Sequence, residues 1–255
     1  MELRNIAAIV TGGASGLGAA TAAALTAKGV EVLALDLEVA IGALGVPGRL
    51  NGVEYVPTDV TVPSQVKAAV DRAASRPTPL RIVVNCAGVG PSARILGRGG
   101  VHDLDLYNRV VQINLVGSLN VLTLASERIA ATEPDEHGQR GVIINTASIA
   151  AFDGQVGQAA YASSKGGIVG LTLPAARDLG QHGIRVNAIA PGVVETPMLA
   201  TVAEELRANL ALGVPFPQRL ARPDDFAQLA VAIIEHDYLN GEVIRMDGAL
   251  RMAPR

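Results

Sequence analysis

Seven short runs rich in valine and isoleucine punctuate the sequence: IAAIVT (6–11), VEVLAL (30–35), VEYVP (53–57), RIVVN (81–85), GVIINTA (141–147), IRVNAIA (184–190) and GEVIRM (241–246). Several are apolar at consecutive positions, so both strand faces must be covered, as they are inside a parallel sheet. Between them lie alanine- and leucine-rich stretches of helical period over 16–28, 64–75, 103–131, 155–180 and 223–236. This alternation predicts a doubly wound α/β sheet. Right-handed crossovers would then place every strand C-terminal end along one ligand-binding edge. With no internal repeat and no low-complexity linker, residues 1–255 read as one domain.

Three segments depart from that rhythm. GPSARILGRGG (90–100) is turn-rich and reads as a surface loop. Residues 193–220 are irregular and carry Pro197, Pro215 and Pro217, the pattern of a lid over a site. Pro174 falls inside a helical pattern. A proline there costs about 3 kcal/mol, so a kink or break is expected.

Composition narrows the function classes. The chain is 49% hydrophobic and 18% charged, with a formal net charge of −3. No run of basic residues predicts a nucleic-acid surface, and no basic amphipathic stretch predicts membrane binding. Cys86 is the only cysteine, so an intrachain disulfide is excluded, which fits a reducing compartment. The start shows no signal-peptide pattern, and no uninterrupted apolar run reaches bilayer length, so a soluble cytoplasmic protein is expected. His102, His137, His182 and His236 are scattered without metal-ligand spacing, and no metal is expected. Aromatic residues make up 3% and tryptophan is absent, which favours an aliphatic pocket.

The first apolar run leads into IVTGGASGLGAA, with Gly12, Gly16 and Gly18 opening a helix. Glycines allow a tight turn and let backbone N–H groups approach a phosphate, and the helix N-terminus adds partial positive charge. The second run ends at Asp36, eighteen residues after Gly18. An acid at that point can bind ribose hydroxyls and repel a 2′-phosphate. Leu35 and Leu37 flank it and no basic residue is near, so NAD is expected over NADP. Asp59, after the third run, can accept from an adenine amino group or help start the next helix.

AAYASSKGG (159–167) places Lys165 four residues after Tyr161, on the same helical face. Only three of the 21 basic residues are lysines, which makes this one conspicuous. Dehydrogenation of a secondary alcohol needs a base for the hydroxyl proton. Bringing a phenol from about 10 down to about 7.5 costs roughly 3.4 kcal/mol. A positive charge about 6 Å away supplies about 2.8 kcal/mol at an effective dielectric of 20, and an oxidised nicotinamide would add a second. Tyr161 is therefore the candidate general base. Ser148, thirteen residues earlier at a strand end, can hydrogen-bond the substrate oxygen.

Taken together, these residues resemble the short-chain dehydrogenase/reductase family over nearly the whole chain. TGGASGLG is similar to the family's cofactor loop, NCAG (85–88) to its motif after the fourth strand, YASSK to its Tyr-x-x-x-Lys, and APGVVETPM to its Pro-Gly…Thr segment. Asn114 matches its helix asparagine. The resemblance implies a single Rossmann-type domain with a mostly parallel seven-stranded sheet, and a homotetramer or dimer, the tetramer being expected here. It implies a catalytic set of Ser148, Tyr161, Lys165 and Asn114, the last holding a water near Lys165. Cofactor contacts are implied for Gly12, Ser15, Gly16, Leu17 and Gly18, then Asp36, Asp59 and Val60. They continue with Cys86, Ala87, Gly88, Tyr161, Lys165, Pro191, Val194 and Thr196, with Thr196 at the nicotinamide carboxamide.

Two long segments, 138–180 and 214–252, are similar to family members that act on 3-hydroxyacyl-CoA esters. This implies NAD-dependent interconversion of (S)-3-hydroxyacyl-CoA and 3-ketoacyl-CoA, with Gln158 beside the substrate together with Ser148 and Tyr161. The loop 90–104 is shorter than in animal members. A steroid or small secondary alcohol is the alternative substrate. A non-enzymatic scaffold is disfavoured by the complete Ser148, Tyr161 and Lys165 set. Cys86 is expected to be a small residue behind the cofactor, and Arg94 and Arg98 to be solvated.

Overall fold

The computed structural model describes residues 1–200 and 204–254. Seven strands form one parallel sheet: β1 (Ala7–Thr11), β2 (Glu31–Asp36), β3 (Val53–Pro57), β4 (Leu80–Asn85), β5 (Gly141–Thr146), β6 (Ile184–Pro191) and β7 (Val243–Met246). Their spatial order is β3-β2-β1-β4-β5-β6-β7. Every residue of β1, β5 and β6 is buried, which is why these runs are apolar on both faces.

Alternate residues of each strand feed two helical layers. Ile9, Leu33, Val83, Ile143 and Val186 point to one side. There they meet α3 (Pro63–Ala74) through Val66 and Val70, and α6 (Ala159–Gly180) through Ala175 and Ala176. Val121, Leu122 and Ile129 complete that layer from a long helix. Ala8, Val10, Ile82, Val84 and Ile144 point the other way, against α1 (Gly16–Ala27) and α9 (Pro223–Glu235). Phe226 of α9 is fully buried in that layer.

The long helix runs from Leu104 to Ala130 as α4 (Leu104–Val111), a π-helical turn (Gln112–Val116) and α5 (Gly117–Ala130). By length and composition it could cross a membrane, but its inward residues Val110, Asn114, Val121 and Ile129 lie in the core. The π turn carries Asn114, and such insertions often re-aim a side chain at a functional site.

Four segments differ in detail from the sequence reading. Helix α6 passes through Pro174 without a break, because Ile168, Thr172, Ala175 and Ala176 hold both halves of the helix in the core. A seven-residue helix, α2 (Glu38–Leu44), follows β2 where no helix was expected. The 90–100 loop contains a small antiparallel pairing of Leu96–Gly97 with Gly100–Val101. The proposed lid is not wholly irregular. It contains α7 (Pro197–Ala200) and α8 (Glu204–Leu212), and positions 201–203 of it lie outside the described residues.

Candidate active site

The sheet's strand order turns back between β1 and β4, so their C-terminal ends open a crevice. Thr11, the last residue of β1, fastens its rim. The Thr11 hydroxyl accepts the backbone N–H groups of Cys86 and Ala87, each at 3.1 Å. Gly12 follows at φ +64°, and a Cβ there would lie 2.9 Å from the Ala87 nitrogen. Gly18 is tighter: its Cβ would lie 2.2 Å from the Gly12 carbonyl oxygen. The glycines thus let the loop press against both β4's end and α1. Gly16, at φ +52°, lies under Thr196, whose Cγ2 would be 3.3 Å from a Cβ at that position. This leaves a cradle between the loop and Thr196 that side chains would fill, and it fits a dinucleotide's phosphates on the N-terminus of α1.

Asp36 lies beside that cradle. One carboxylate oxygen accepts the Ala14 N–H at 2.9 Å, and the other accepts the Leu37 N–H at 2.8 Å. The carboxylate is therefore held against the glycine loop, with lone pairs left for ribose hydroxyls. Asp59 lines the cleft, as a contact to an adenine amino group requires, and it also shapes the turn after β3. Its Oδ1 accepts from the Thr61 N–H at 2.9 Å and the Thr61 hydroxyl at 2.7 Å. Helix α3 begins later, with Val62 at its cap position and Pro63 first in the helix, so Asp59 shapes the turn instead of capping the helix.

Tyr161 and Lys165 lie one turn apart near the start of α6, with Lys165 Nζ 5.8 Å from the Tyr161 ring centroid. Lys165 is 4% exposed, and its ammonium donates to the Thr146 carbonyl at 2.7 Å. Burial pulls its pKa down to about 8. Burial also pushes the Tyr161 phenol above its ordinary value, against an opposing pull from the Ser148 hydroxyl. The expected activation of the phenol joins two positive charges, that of Lys165 and that of an oxidised nicotinamide, and the second comes only with the cofactor. Burial is the larger influence on the phenol, and the Lys165 ammonium is directed at a strand carbonyl.

Ser148 stands just beyond β5, ahead of a 3₁₀ turn (Ile149–Ala151). Its oxygen accepts the Ala150 N–H at 3.1 Å, which leaves its own hydrogen free to point elsewhere. Asn114 is fully buried, and its carboxamide is completely engaged. The oxygen accepts the Val89 N–H at 2.8 Å, while the nitrogen donates to the Val89 carbonyl at 2.9 Å and to Ser164 Oγ at 3.0 Å. Among the described residues, no hydrogen bond joins the Asn114 side chain to Lys165. The two groups instead face each other across Gly88, where a Cβ would lie 3.1 Å from Asn114 Oδ1 and 3.7 Å from Lys165 Nζ.

A continuous cleft of about 810 Å³ joins these features. It is lined by the cofactor residues expected from the sequence, from Gly12, Ser15, Gly16, Leu17 and Gly18 to Asp36, Asp59 and Val60. Cys86, Ala87, Gly88, Pro191, Val194 and Thr196 line it too, as do Ser148, Gln158, Tyr161 and Lys165. Asn114 lies behind this surface. Cys86 is part of the cleft lining, and burial pushes its thiol up to about 12, so it remains neutral. Several lining residues carried no sequence signal: Arg109 and Gln112 from the long helix, Gln155, Leu210 from α8, and Met252. They come from segments without a motif, and only the fold brings them together.

The arrangement has the parts of a dehydrogenase: a dinucleotide cradle, an acid for ribose, and a phenol, hydroxyl and ammonium at the far end. A model of the short chain dehydrogenase family matches residues 6–207. The 3-hydroxyacyl-CoA dehydrogenase type-2 of Homo sapiens is 48% identical over 255 residues, covering 99% of this chain and 98% of the relative. That of Drosophila melanogaster is also 48% identical, covering 99% and 100%. A crystal structure of 3-hydroxyacyl-CoA dehydrogenase type-2 from Mycobacterium avium superposes with a TM-score of 0.91 at 43% identity over the full length of both chains. This chain belongs to the short-chain dehydrogenase family and is an oxidoreductase acting on CH–OH groups.

Proposed function

We propose that the protein interconverts (S)-3-hydroxyacyl-CoA and 3-ketoacyl-CoA, with NAD(H) as the redox partner. The observation that carries this reading is the placement of the Ser148 hydroxyl, the Tyr161 phenol and the Lys165 ammonium at one end of a cleft whose other end is the glycine cradle. The full-length similarity to 3-hydroxyacyl-CoA dehydrogenases type-2 supports the substrate class. Relatives named (3R)-3-hydroxyacyl-CoA dehydrogenase, at 33% identity for the Mus musculus protein, are more distant, which favours the S hand.

The Gly12–Gly18 loop would hold the cofactor's pyrophosphate, Asp36 its adenosine ribose and Thr196 its carboxamide. Among the described residues, Asp36 has no cation among its hydrogen-bond partners, and it would repel a 2′-phosphate, hence the preference for NAD. When bound, the nicotinamide supplies the hydride acceptor or donor. Ser148 donates to the substrate oxygen and fixes its direction. In reduction, Tyr161 passes its phenolic proton to that oxygen as the carbonyl carbon gains hydride. In oxidation, Tyr161 takes the proton back. Lys165 places positive charge beside the phenolate and stabilises it. The reading extends to a homotetramer in a reducing cytoplasm.

The test is oxidation of NADH by acetoacetyl-CoA, run beside NADPH and beside a 17-ketosteroid. Rapid turnover with NADH and the CoA ester is expected, and the reverse assay should consume (S)-3-hydroxybutyryl-CoA ahead of its R isomer. Reduction of the steroid alone would transfer the same catalytic set to a different substrate class.

A further inference from the structure

The chain reverses direction after β7 and returns over the cleft. Gly248 (φ +58°) and Ala249 (φ +66°) make the turn, and Asp247 holds it. Asp247 Oδ1 accepts the Ala249 N–H at 3.0 Å, while Oδ2 pairs with Arg245 at 2.7 Å and Arg251 at 3.1 Å.

The returning strap, Leu250–Pro254, is fastened to the segment that joins Ser148 to α6. The Val156 N–H donates to the Pro254 carbonyl at 3.0 Å, and Gln155 Nε2 donates to the Ala253 carbonyl at 2.9 Å. Arg245 Nη2 bridges Asp153, at 2.7 Å, and the Leu250 carbonyl, at 3.1 Å. Leu250 is buried against Ile149 and Val214. Among the described residues of the strap, Met252 alone reaches the cleft lining, where it joins Ile149, Val193, Leu199 and Leu210. It is bracketed by anchored backbone at Leu250 on one side and at Ala253 and Pro254 on the other. Its wall is therefore fixed in place although its side chain is flexible.

We propose that Met252 sets the upper length of the acyl tail this enzyme accepts, the strap serving as the outer wall of the acyl site. This inference rests on the acyl-CoA reading above. A thioether side chain is apolar and unbranched and adapts to an aliphatic surface, so it suits the tail end of the substrate and not its polar head. The reacting oxygen is served by Ser148 and Tyr161. Met252 stands on a different segment and has no group to offer that oxygen. Its contribution is confined to the space available, and space in an apolar pocket discriminates chain length by about tenfold or more per misfit group.

The experiment compares kcat/KM for NADH-dependent reduction of acetoacetyl-CoA and 3-ketodecanoyl-CoA. Met252→Ala should raise the long-to-short ratio by about tenfold or more, Met252→Phe should lower it, and Met252→Leu should leave it near the wild-type value. NADH binding by each variant reports that it is folded. Because Phe and Ala move the ratio in opposite directions, a folding defect in either still leaves the other decisive. If wild type reduces acetoacetyl-CoA and no variant moves the ratio by more than about twofold, the Met252 assignment falls and the acyl-CoA reading stands. If wild type binds NADH but reduces no CoA ester, the acyl-CoA reading falls and takes this inference with it.

Discussion

Tyr161 and Lys165 are buried together, and burial drives both toward their neutral forms. The phenol keeps its proton above the ordinary range, and the lysine gives up its proton near pH 8. At neutral pH the cofactor-free site therefore holds a protonated phenol beside a mostly protonated amine, a state suited to carbonyl reduction. Tyr161→Phe removes the proton donor while leaving ring packing intact. Turnover should be lost in both directions, with NADH affinity kept, as checked by fluorescence titration. Lys165 also makes a stability prediction. Unfolded lysine holds its proton to about 10.5, and the folded residue releases it near 8. Between those values the unfolded state binds more protons, so stability rises with pH, by at most about 1.4 kcal/mol per pH unit. Above about pH 9 the Cys86 thiol acts in the opposite sense, since it ionises near 9 when unfolded and only near 12 when folded. Denaturant unfolding of the cofactor-free protein from pH 8 to 9 should therefore show the rise, and Lys165→Met should remove it. The Tyr161–Lys165 pair was legible in the sequence because one helical turn fixes its geometry. The direction of the phenol's shift was not, because burial depends on segments distant in sequence that pack around α6, among them the one that carries Ser148.

The secondary structure follows local periodicity closely, and its exceptions have local causes. IAAIVT and GVIINTA were readable as strands because buried apolar runs have few other uses. Helix α2 was not, since EVAIGAL is short, contains Gly42, and has only Ile41 buried. The π turn at Asn114 left no mark either. An extra residue shifts the helical phase by about 100°, a change spread over a turn of only five residues, and Asn114 within that turn clamps Val89 and Ser164. Pro174 shows the reverse case, in which a strong local signal is overridden. Proline has no N–H to give the Gly170 carbonyl, and its ring crowds that carbonyl. Packing of Ile168 and Thr172 before it, and of Ala175 and Ala176 after it, keeps the helix whole. Pro174 itself is exposed, so replacing it disturbs no core contact. Pro174→Ala should therefore stabilise the protein, by roughly 1–3 kcal/mol, as read from the midpoint of chemical denaturation. A loss of stability would mean that the ring's constraint on the unfolded chain outweighs the strain in the helix.

At the scale of the whole molecule, the cleft belongs to no single segment. Its cofactor end joins the loop after β1 to the ends of β2, β3 and β4, and Thr11 ties β1 to Cys86 and Ala87 across the switch in strand order. Its catalytic end joins β5, α6 and the segment after β6, and the strap from beyond β7 closes the outer side. A ligand spanning that cleft touches parts of the sheet from β1 to β6, so it cannot stabilise one half alone. NADH at a hundred times its Kd should therefore raise the free energy of unfolding by about 2.7 kcal/mol in a single transition. Calorimetry, with and without NADH, distinguishes this from the alternative. If two transitions appear and only one shifts, the lid and strap unfold separately from the sheet, and the cofactor is held by the glycine loop's half. Gly12→Ala supplies the control. Its Cβ would meet the backbone of Cys86 and Ala87 at 2.9–3.0 Å, so it should destabilise the protein and abolish the NADH-dependent shift together. Retention of the full shift in that variant would show that the close approach of the two loops is not what shapes the cofactor site.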